Sequence, residues 1–148
     1  MPHLTLSALL SALLVLSVTA VSGQKAKPNI ILLYADDLGY TDLSCQGSDY
    51  YRTPNIDRLA KEGMTFTNAY AAAANCAPSR ASLMTGLYTP RHGVFTVGNS
   101  NRGKAAHRRL IPISNKIELT RKLPTMAQVL KGAGYRTAVA GKWHLSDD

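Results

Sequence analysis

Apolar residues are spread unevenly along this chain. Leu4 to Ala20 is a continuous run of apolar and small side chains with no charge. Beyond it the apolar positions come in short clusters. Pro28-Asn29-Ile30-Ile31-Leu32-Leu33-Tyr34 is a compact run rich in branched residues, the pattern of a strand covered on both faces. Thr53 to Gly63 carries the signals of one short helix: Thr53 as N-cap, Pro54 at the first position, Asp57 in the first turn and Gly63 as the stop. Ile56, Leu59 and Ala60 share one side of that helix, a face expected to pack on a sheet. Met64 to Tyr70 alternates apolar with polar and predicts a second strand. A further helix is expected just after Cys76, with Pro78 in its first turn, running through Leu83 to about Gly86. From Leu87 to Leu123 Gly, Pro, Asn and basic residues dominate and periodicity is poor, so this stretch reads as mostly loop. Thr125-Met126-Ala127-Gln128 is a capping-box pattern that opens a helix with Met126, Val129 and Leu130 on one face, ended by Gly132 and Gly134. Tyr135 to Gly141 then supplies a third strand. Strands alternating with helices imply an α/β protein with a mostly parallel sheet flanked by helices.

The uncharged opening run reads as a signal peptide over residues 1–23, with small residues at Ala20 and Gly23 offering cleavage sites and Gln24-Lys25-Ala26-Lys27 as a mature start. The segment before the run carries no Lys or Arg, and an uncleaved anchor helix is the alternative; five Ser/Thr residues within the run disfavour a stable span. The 148 residues allow one ordinary domain, and 45% hydrophobic with 18% charged residues is a globular composition. The net charge of +8 is concentrated. Between 98 and 122, Arg102, Lys104, Arg108, Arg109, Lys116, Arg121 and Lys122 face only Glu118. Such a segment is either a solvated loop or a surface that attracts polyanions; nucleic acid is not expected as a partner of an exported chain without interleaved aromatics.

Chemistry is concentrated in three places. Cys76 is expected just before a helix N-terminus, where free N–H groups and the helix dipole favour an anion, and Arg80, one turn in, adds a full charge. A nucleophile and an oxyanion binder are thus neighbours, although a half-cystine with Cys45 or a buried thiol is the ordinary alternative for such a cysteine. Asp36 and Asp37 follow the first predicted strand, where open α/β sheets place their sites. Adjacent carboxylates repel; they form either a solvated turn or a hard-cation site, and Ca²⁺ takes about 6–8 oxygen ligands. Lys142 and His144 end the third predicted strand and, two residues apart, share a side while the chain stays extended.

Cys76-Ala77-Pro78-Ser79-Arg80 with Leu83-Met84-Thr85-Gly86 resembles the signature of the type I, formylglycine-dependent sulfatases. The run from Ile31 to Tyr40 resembles that family's first metal-binding segment, Pro90-Arg91-His92-Gly93-Val94 a segment that follows the signature, and Gly141-Lys142-Trp143-His144-Leu145 a motif whose lysine and histidine face the modified cysteine. The family continues the last motif with glycine, whereas Ser146-Asp147-Asp148 stands here. The resemblance spans Pro28 to Leu145. It implies an alkaline-phosphatase-like α/β fold, of which residues 24–148 are the N-terminal, truncated portion, with further calcium ligands and another His and Lys downstream.

The resemblance further implies that Cys76 is oxidised to formylglycine by a formylglycine-generating enzyme, and that Asp36, Asp37 and the modified Cys76 are calcium ligands. An aldehyde hydrate offers one hydroxyl to attack sulfur and a second to expel the product. Arg80 and Lys142 would stabilise charge, His144 would assist proton removal, and His92 would be structural. The implied activity is sulfuric ester hydrolysis on a sulfated small molecule or glycan in an exported setting, periplasmic, secreted or lysosomal, with membrane contact only through the signal peptide. Two alternatives are a phosphonate monoester or phosphodiester hydrolase of the same superfamily, and a non-catalytic exported polyanion-binding fragment.

Overall fold

The computed structural model describes residues 26–146; the signal peptide expected over 1–23 lies outside them. The chain divides into two compact units, residues 1–34 and 35–148. In the described part of the first, residues 28–34 are irregular, and Ile31 and Leu33 are 83% and 79% exposed.

In the second unit the segments expected as strands, 64–70 and 135–141, are irregular as well, with Met64, Phe66, Tyr70 and Val139 exposed. No strand occurs among the described residues, so the mostly parallel sheet is absent from them. The reason is physical: a strand satisfies its backbone only through a partner strand, whereas a helix closes its hydrogen bonds internally. For the same reason the apolar face of the first helix, α1 (Pro54–Glu62), is uncovered, with Ile56 and Leu59 exposed.

The helices follow their local signals. Pro54 opens α1 and Gly63 N–H closes it onto the Leu59 carbonyl at 2.9 Å. Thr53 occupies the N-cap position without capping. Its hydroxyl donates to Asp57 Oδ1 at 2.8 Å and accepts the Ser44 N–H at 2.9 Å, while Asp57 Oδ1 also accepts the Cys45 N–H at 3.0 Å. The start of α1 therefore serves as the anchor for the short 3₁₀ turn Ser44–Gln46.

Helix α2 (Cys76–Thr85) begins earlier than expected. Asn75 is its extended N-cap, Cys76 its first residue and Pro78 its third, and the Ser79 N–H makes the first turn's bond to the Asn75 carbonyl at 3.1 Å. Pro78 is tolerated because the first four N–H groups of a helix have no partner within it. Gly86, in the left-handed region at φ 68°, ends the helix. The buried side of α2 consists of small residues, Ala77, Pro78, Ser79, Ala81 and Ser82, and this permits close approach by its neighbours.

The stretch 87–123 is mostly irregular, as expected, with helix α3 (Thr89–His92) and a 3₁₀ turn at Ala105–His107. Gly93 ends α3 at φ 79°, and a Cβ there would come within 3.0 Å of Lys116 Cδ. Helix α4 (Met126–Gly132) has the reciprocal capping box: Thr125 N–H donates to Gln128 Oε1 at 2.8 Å and Gln128 N–H to Thr125 Oγ1 at 3.4 Å. Helix α2 packs on α3 and α4. The core of this unit is Ala77, Ala81, Val94 and Leu145, with Met84, Val97, Leu119 and Trp143 against it. Two backbone bonds of 2.9 Å lace it together, Lys116 N–H to the Gly93 carbonyl and Leu119 N–H to the Leu145 carbonyl.

Candidate active site

All six residues singled out from the sequence lie in the second unit, and four of them meet. Arg80 projects from the first turns of α2, its Nη2 3.3 Å from Asp36 Oδ1, while its Nη1 donates to the Lys142 carbonyl at 2.6 Å. Lys142 Nζ reaches the other carboxylate oxygen, Asp36 Oδ2, at 2.6 Å. One arginine thus ties two segments of the chain that are 106 residues apart. The Arg80 side chain is 11% exposed, against 30% for Asp36 and 43% for Lys142, so the guanidinium forms the sheltered floor and the ammonium the rim. A guanidinium suits the floor because its fixed fork serves a carboxylate and a carbonyl at once.

The charges reinforce one another. The hydrogen bond from Lys142, helped by Arg80 and opposed by desolvation, holds the Asp36 carboxyl below its ordinary 3.8. The bond to Asp36 raises Lys142 above its ordinary 10.5 against desolvation, and Cys76 acts on the same ammonium in the same direction. Lys142 is therefore the link between Cys76 and the Asp36–Arg80 pair. The Cys76 thiol is free and half-buried and the Cys45 thiol is free and exposed, so the two are not joined.

Asp37 and His144 stand apart from this network. Asp37 is exposed at φ 56°, and His144 adopts φ 59°. The extended conformation that would align Lys142 with His144 therefore ends at His144. The buried Nδ1 of His144 has no hydrogen-bond partner among the described residues.

As a calcium site this donor set is insufficient. Among the described residues no three His, Cys, Asp or Glu side chains gather. Both oxygens of Asp36 are taken by cations, and two carboxylates supply few of the roughly 6–8 oxygens calcium takes. As a formylglycine position Cys76 does fit: it is an unbridged, half-buried thiol at a helix N-terminus that interacts with the Lys142 ammonium.

Two polar supports, Asn115 and Asn75, escape the sequence reading, and a third, His92, has the structural role expected of it. His92 is fully buried; its Nδ1 accepts the Val94 N–H at 3.1 Å and its Nε2 lies 3.0 Å from Ser82 Oγ on α2. Asn115 clips the loop after α3, accepting the N–H groups of Phe95 at 2.6 Å and Thr96 at 3.1 Å and donating to the carbonyls of Thr96 and Gly98. Asn75, next to Cys76, donates to Thr96 Oγ1 at 3.3 Å. None of these has a periodic signature; only the histidine within Pro90-Arg91-His92-Gly93 hinted at a structural role.

Comparison with known proteins supplies the wider context. A family model described as Sulfatase matches residues 28–148. N-acetylgalactosamine-6-O-sulfatase of Bacteroides thetaiotaomicron is 47% identical over 125 residues, covering 84% of this chain and 22% of the relative. Human arylsulfatase H is 45% identical over 122 residues, 82% of this chain and 21% of the relative. The chain therefore spans about a fifth of the length of these curated relatives. Among solved structures, a protein from a Bacteroides thetaiotaomicron locus for metabolism of multiple glycosaminoglycans superimposes with TM-score 0.65 at 45% identity, covering 80% of this chain and 22% of that one. Ps i-CgsB in complex with k-i-k-neocarrahexaose gives 0.66 at 39% identity, with coverage of 82% and 24%. With a family match over residues 28–148, this chain belongs to the sulfatase family.

Proposed function

We propose that residues 24–148 are the N-terminal portion of a sulfatase catalytic domain and carry part of a centre that hydrolyses sulfuric esters, with Cys76 as the residue converted to formylglycine. The observation that carries this reading is the bridge Arg80–Asp36–Lys142 beside Cys76. The aldehyde, once formed and hydrated, supplies the nucleophilic hydroxyl. Arg80 and Lys142 provide fixed positive charge where the ester oxygens gather; removal of one such charge typically costs about 10²–10³ in rate. The unpartnered Nδ1 of His144 is the group we assign to moving a proton at the reacting oxygens. Asp36 holds both cations in place until substrate arrives.

Calcium belongs to the same proposal only for a protein of the relatives' length: Asp36, Asp37 and the modified Cys76 would be its ligands in this chain, Asp36 exchanging its contacts with Arg80 and Lys142 for the ion, and the remaining oxygens would come from outside residues 26–146. The alkaline-phosphatase-like sheet belongs there too, with 28–34, 64–70 and 135–141 as strands once partner strands are present. The names of the relatives point to sulfated glycans or aryl sulfates as substrates, and the uncharged run from Leu4 to Ala20 to export. Among the described residues no helix is long and apolar enough to cross a membrane.

The test is chemical. Co-expression with a formylglycine-generating enzyme should give, in the tryptic peptide ending at Arg80, a hydrazide-reactive aldehyde at position 76 by mass spectrometry. Recovery of only unmodified thiol, or of a Cys45–Cys76 disulfide, would overturn the reading.

A further inference from the structure

The basic segment between 98 and 122 plays no part in the Cys76 centre, yet the structure shapes it. A shallow, open cleft of about 440 Å³ is lined by Ser100, Arg102, His107, Arg108 and Arg109, and Leu110 and Pro112 form an apolar wall. No carboxylate among the described residues lies within ion-pair distance of its arginines, the ion pairs of Asp36 being made with Arg80 and Lys142 outside the cleft.

The cleft is also held in shape. Arg108 donates Nε to the Arg102 carbonyl at 3.1 Å, Nη2 to the Gly103 carbonyl at 2.9 Å and Nη1 to Asn101 Oδ1 at 3.4 Å. These acceptors are neutral, so the guanidinium braces the loop and keeps its full charge. Arg102 Nη2 donates to the Val97 carbonyl at 3.1 Å and to Thr96 Oγ1 at 3.4 Å. That same hydroxyl accepts from Asn75, the residue before Cys76. One threonine thus joins the cleft to the start of the helix that bears the reaction centre.

We propose that this cleft is an accessory anion subsite that holds a sulfate group of a multiply sulfated glycan, remote from the ester presented at Cys76. The proposal rests on the sulfatase reading of Cys76 and extends it to the substrate class. Guanidinium forks match the oxygen geometry of sulfate, which stays ionised at every physiological pH. A nucleic acid would need aromatic faces for its bases, and no Phe, Tyr or Trp lines the cleft. The wall of Leu110 and Pro112 offers instead an apolar surface for the C–H face of a sugar ring.

The experiment measures binding of a heparin hexasaccharide, its desulfated counterpart and a single-stranded oligonucleotide of matched charge to the 148-residue chain. It compares Arg102→Gln/Arg109→Gln with a control of equal charge loss elsewhere, Arg58→Gln/Arg136→Gln, and with Cys76→Ala. At an ionic strength of about 0.01 M, where the Debye length is about 30 Å, the cleft variant should bind the hexasaccharide about tenfold more weakly, equivalent to about 1.4 kcal/mol. The control, whose lost charge acts only through the long-range field, should weaken binding by no more than about threefold, and Cys76→Ala, which removes no charge, by less than about twofold. Arg109→Gln alone, at an exposed side chain without a hydrogen-bond or ion-pair partner among the described residues, should give part of the loss if the double variant disturbs the loop. Equal weakening by cleft and control variants, or equal binding of desulfated sugar or oligonucleotide, would overturn the subsite. If Cys76 forms an aldehyde while cleft binding fails, the subsite alone is wrong. If the cleft binds selectively while Cys76 stays a thiol, the subsite is upheld as a glycan site and the sulfatase reading is wrong.

Discussion

His92 should make the stability of this chain sensitive to acid. Its side chain is fully buried, and because Nδ1 accepts the Val94 N–H, the neutral ring carries its proton on Nε2 and donates it to Ser82 Oγ. A second proton would have to sit on Nδ1 and would face the Val94 N–H donor to donor. Burial first, and Lys116 second, accordingly push the pKa below the ordinary 6.5. The sign follows. Below pH 6.5 the unfolded chain binds a proton that the folded chain refuses, so stability is full above that value and falls as pH drops toward the folded-state pKa. One such group gives a slope of at most about 1.4 kcal/mol per pH unit. His92→Phe keeps the volume, removes the slope and leaves the Val94 N–H and the Ser82 hydroxyl without partners. At about 1–3 kcal/mol for each orphaned buried group, the expected loss at neutral pH is about 2–6 kcal/mol, a large share of the roughly 5–15 kcal/mol of a typical domain. Urea unfolding of both proteins at a series of pH values from about 5 to 8 reads both quantities, the window being set by the ordinary histidine pKa. A wild-type curve flat below pH 6.5, or the same acid slope in His92→Phe, would refute the reasoning.

Thr125→Ala removes one half of the capping box on α4 and should cost about 0.5–2 kcal/mol, read as a lower urea midpoint and faster hydrogen exchange at Gln128; no change would mean that the cap is not formed in solution. Asp36→Asn removes the chief cause of the raised Lys142 pKa, so the Lys142 ammonium should titrate at lower pH in NMR of labelled lysine, and an unmoved titration would show that the 2.6 Å contact is not populated.

The helices were legible because their signals are local. Pro54 and Gly63, the Thr125 and Gln128 pair, and Gly86 mark their ends within one turn of sequence. The entry to α2 lies one residue earlier than expected, at Cys76, while Pro78 keeps the first-turn place read for it, because three residues of a helix precede its first internal N–H bond. The strands were legible as patterns but not as structure: alternation at 64–70 records which face a strand would bury, not whether a partner is there to pair with it. The candidate site divides in the same way. The residue types at 36, 76, 80, 142 and 144 could be read from motifs, but that Arg80 would serve both Asp36 and the Lys142 carbonyl could not, because nothing local relates positions so far apart. Asn115 is the extreme case, one amide in a polar loop whose several backbone partners appear only in three dimensions.

Backbone strain shows how the assembled site and the core depend on each other. Asp37 and His144 are the non-glycine residues with positive φ among those described, and the left-handed region costs a residue with a Cβ about 1–2 kcal/mol, less for aspartate. Each lies close to a partner in the bridge, Asp37 directly after Asp36 and His144 two residues after Lys142. At His144 the compensation can be identified. The turn there delivers Leu145, 2% exposed, into the core against α2, where its carbonyl accepts the Leu119 N–H at 2.9 Å. Full burial of a leucine side chain contributes about 1.5–3 kcal/mol, enough to offset the strain. The contact of Lys142 with Asp36 therefore does not have to hold the segment by itself, since two partly exposed charges are poor anchors. The core holds Leu145, Leu145 fixes the turn at His144, and Lys142 is presented to Asp36 and Cys76 as a consequence.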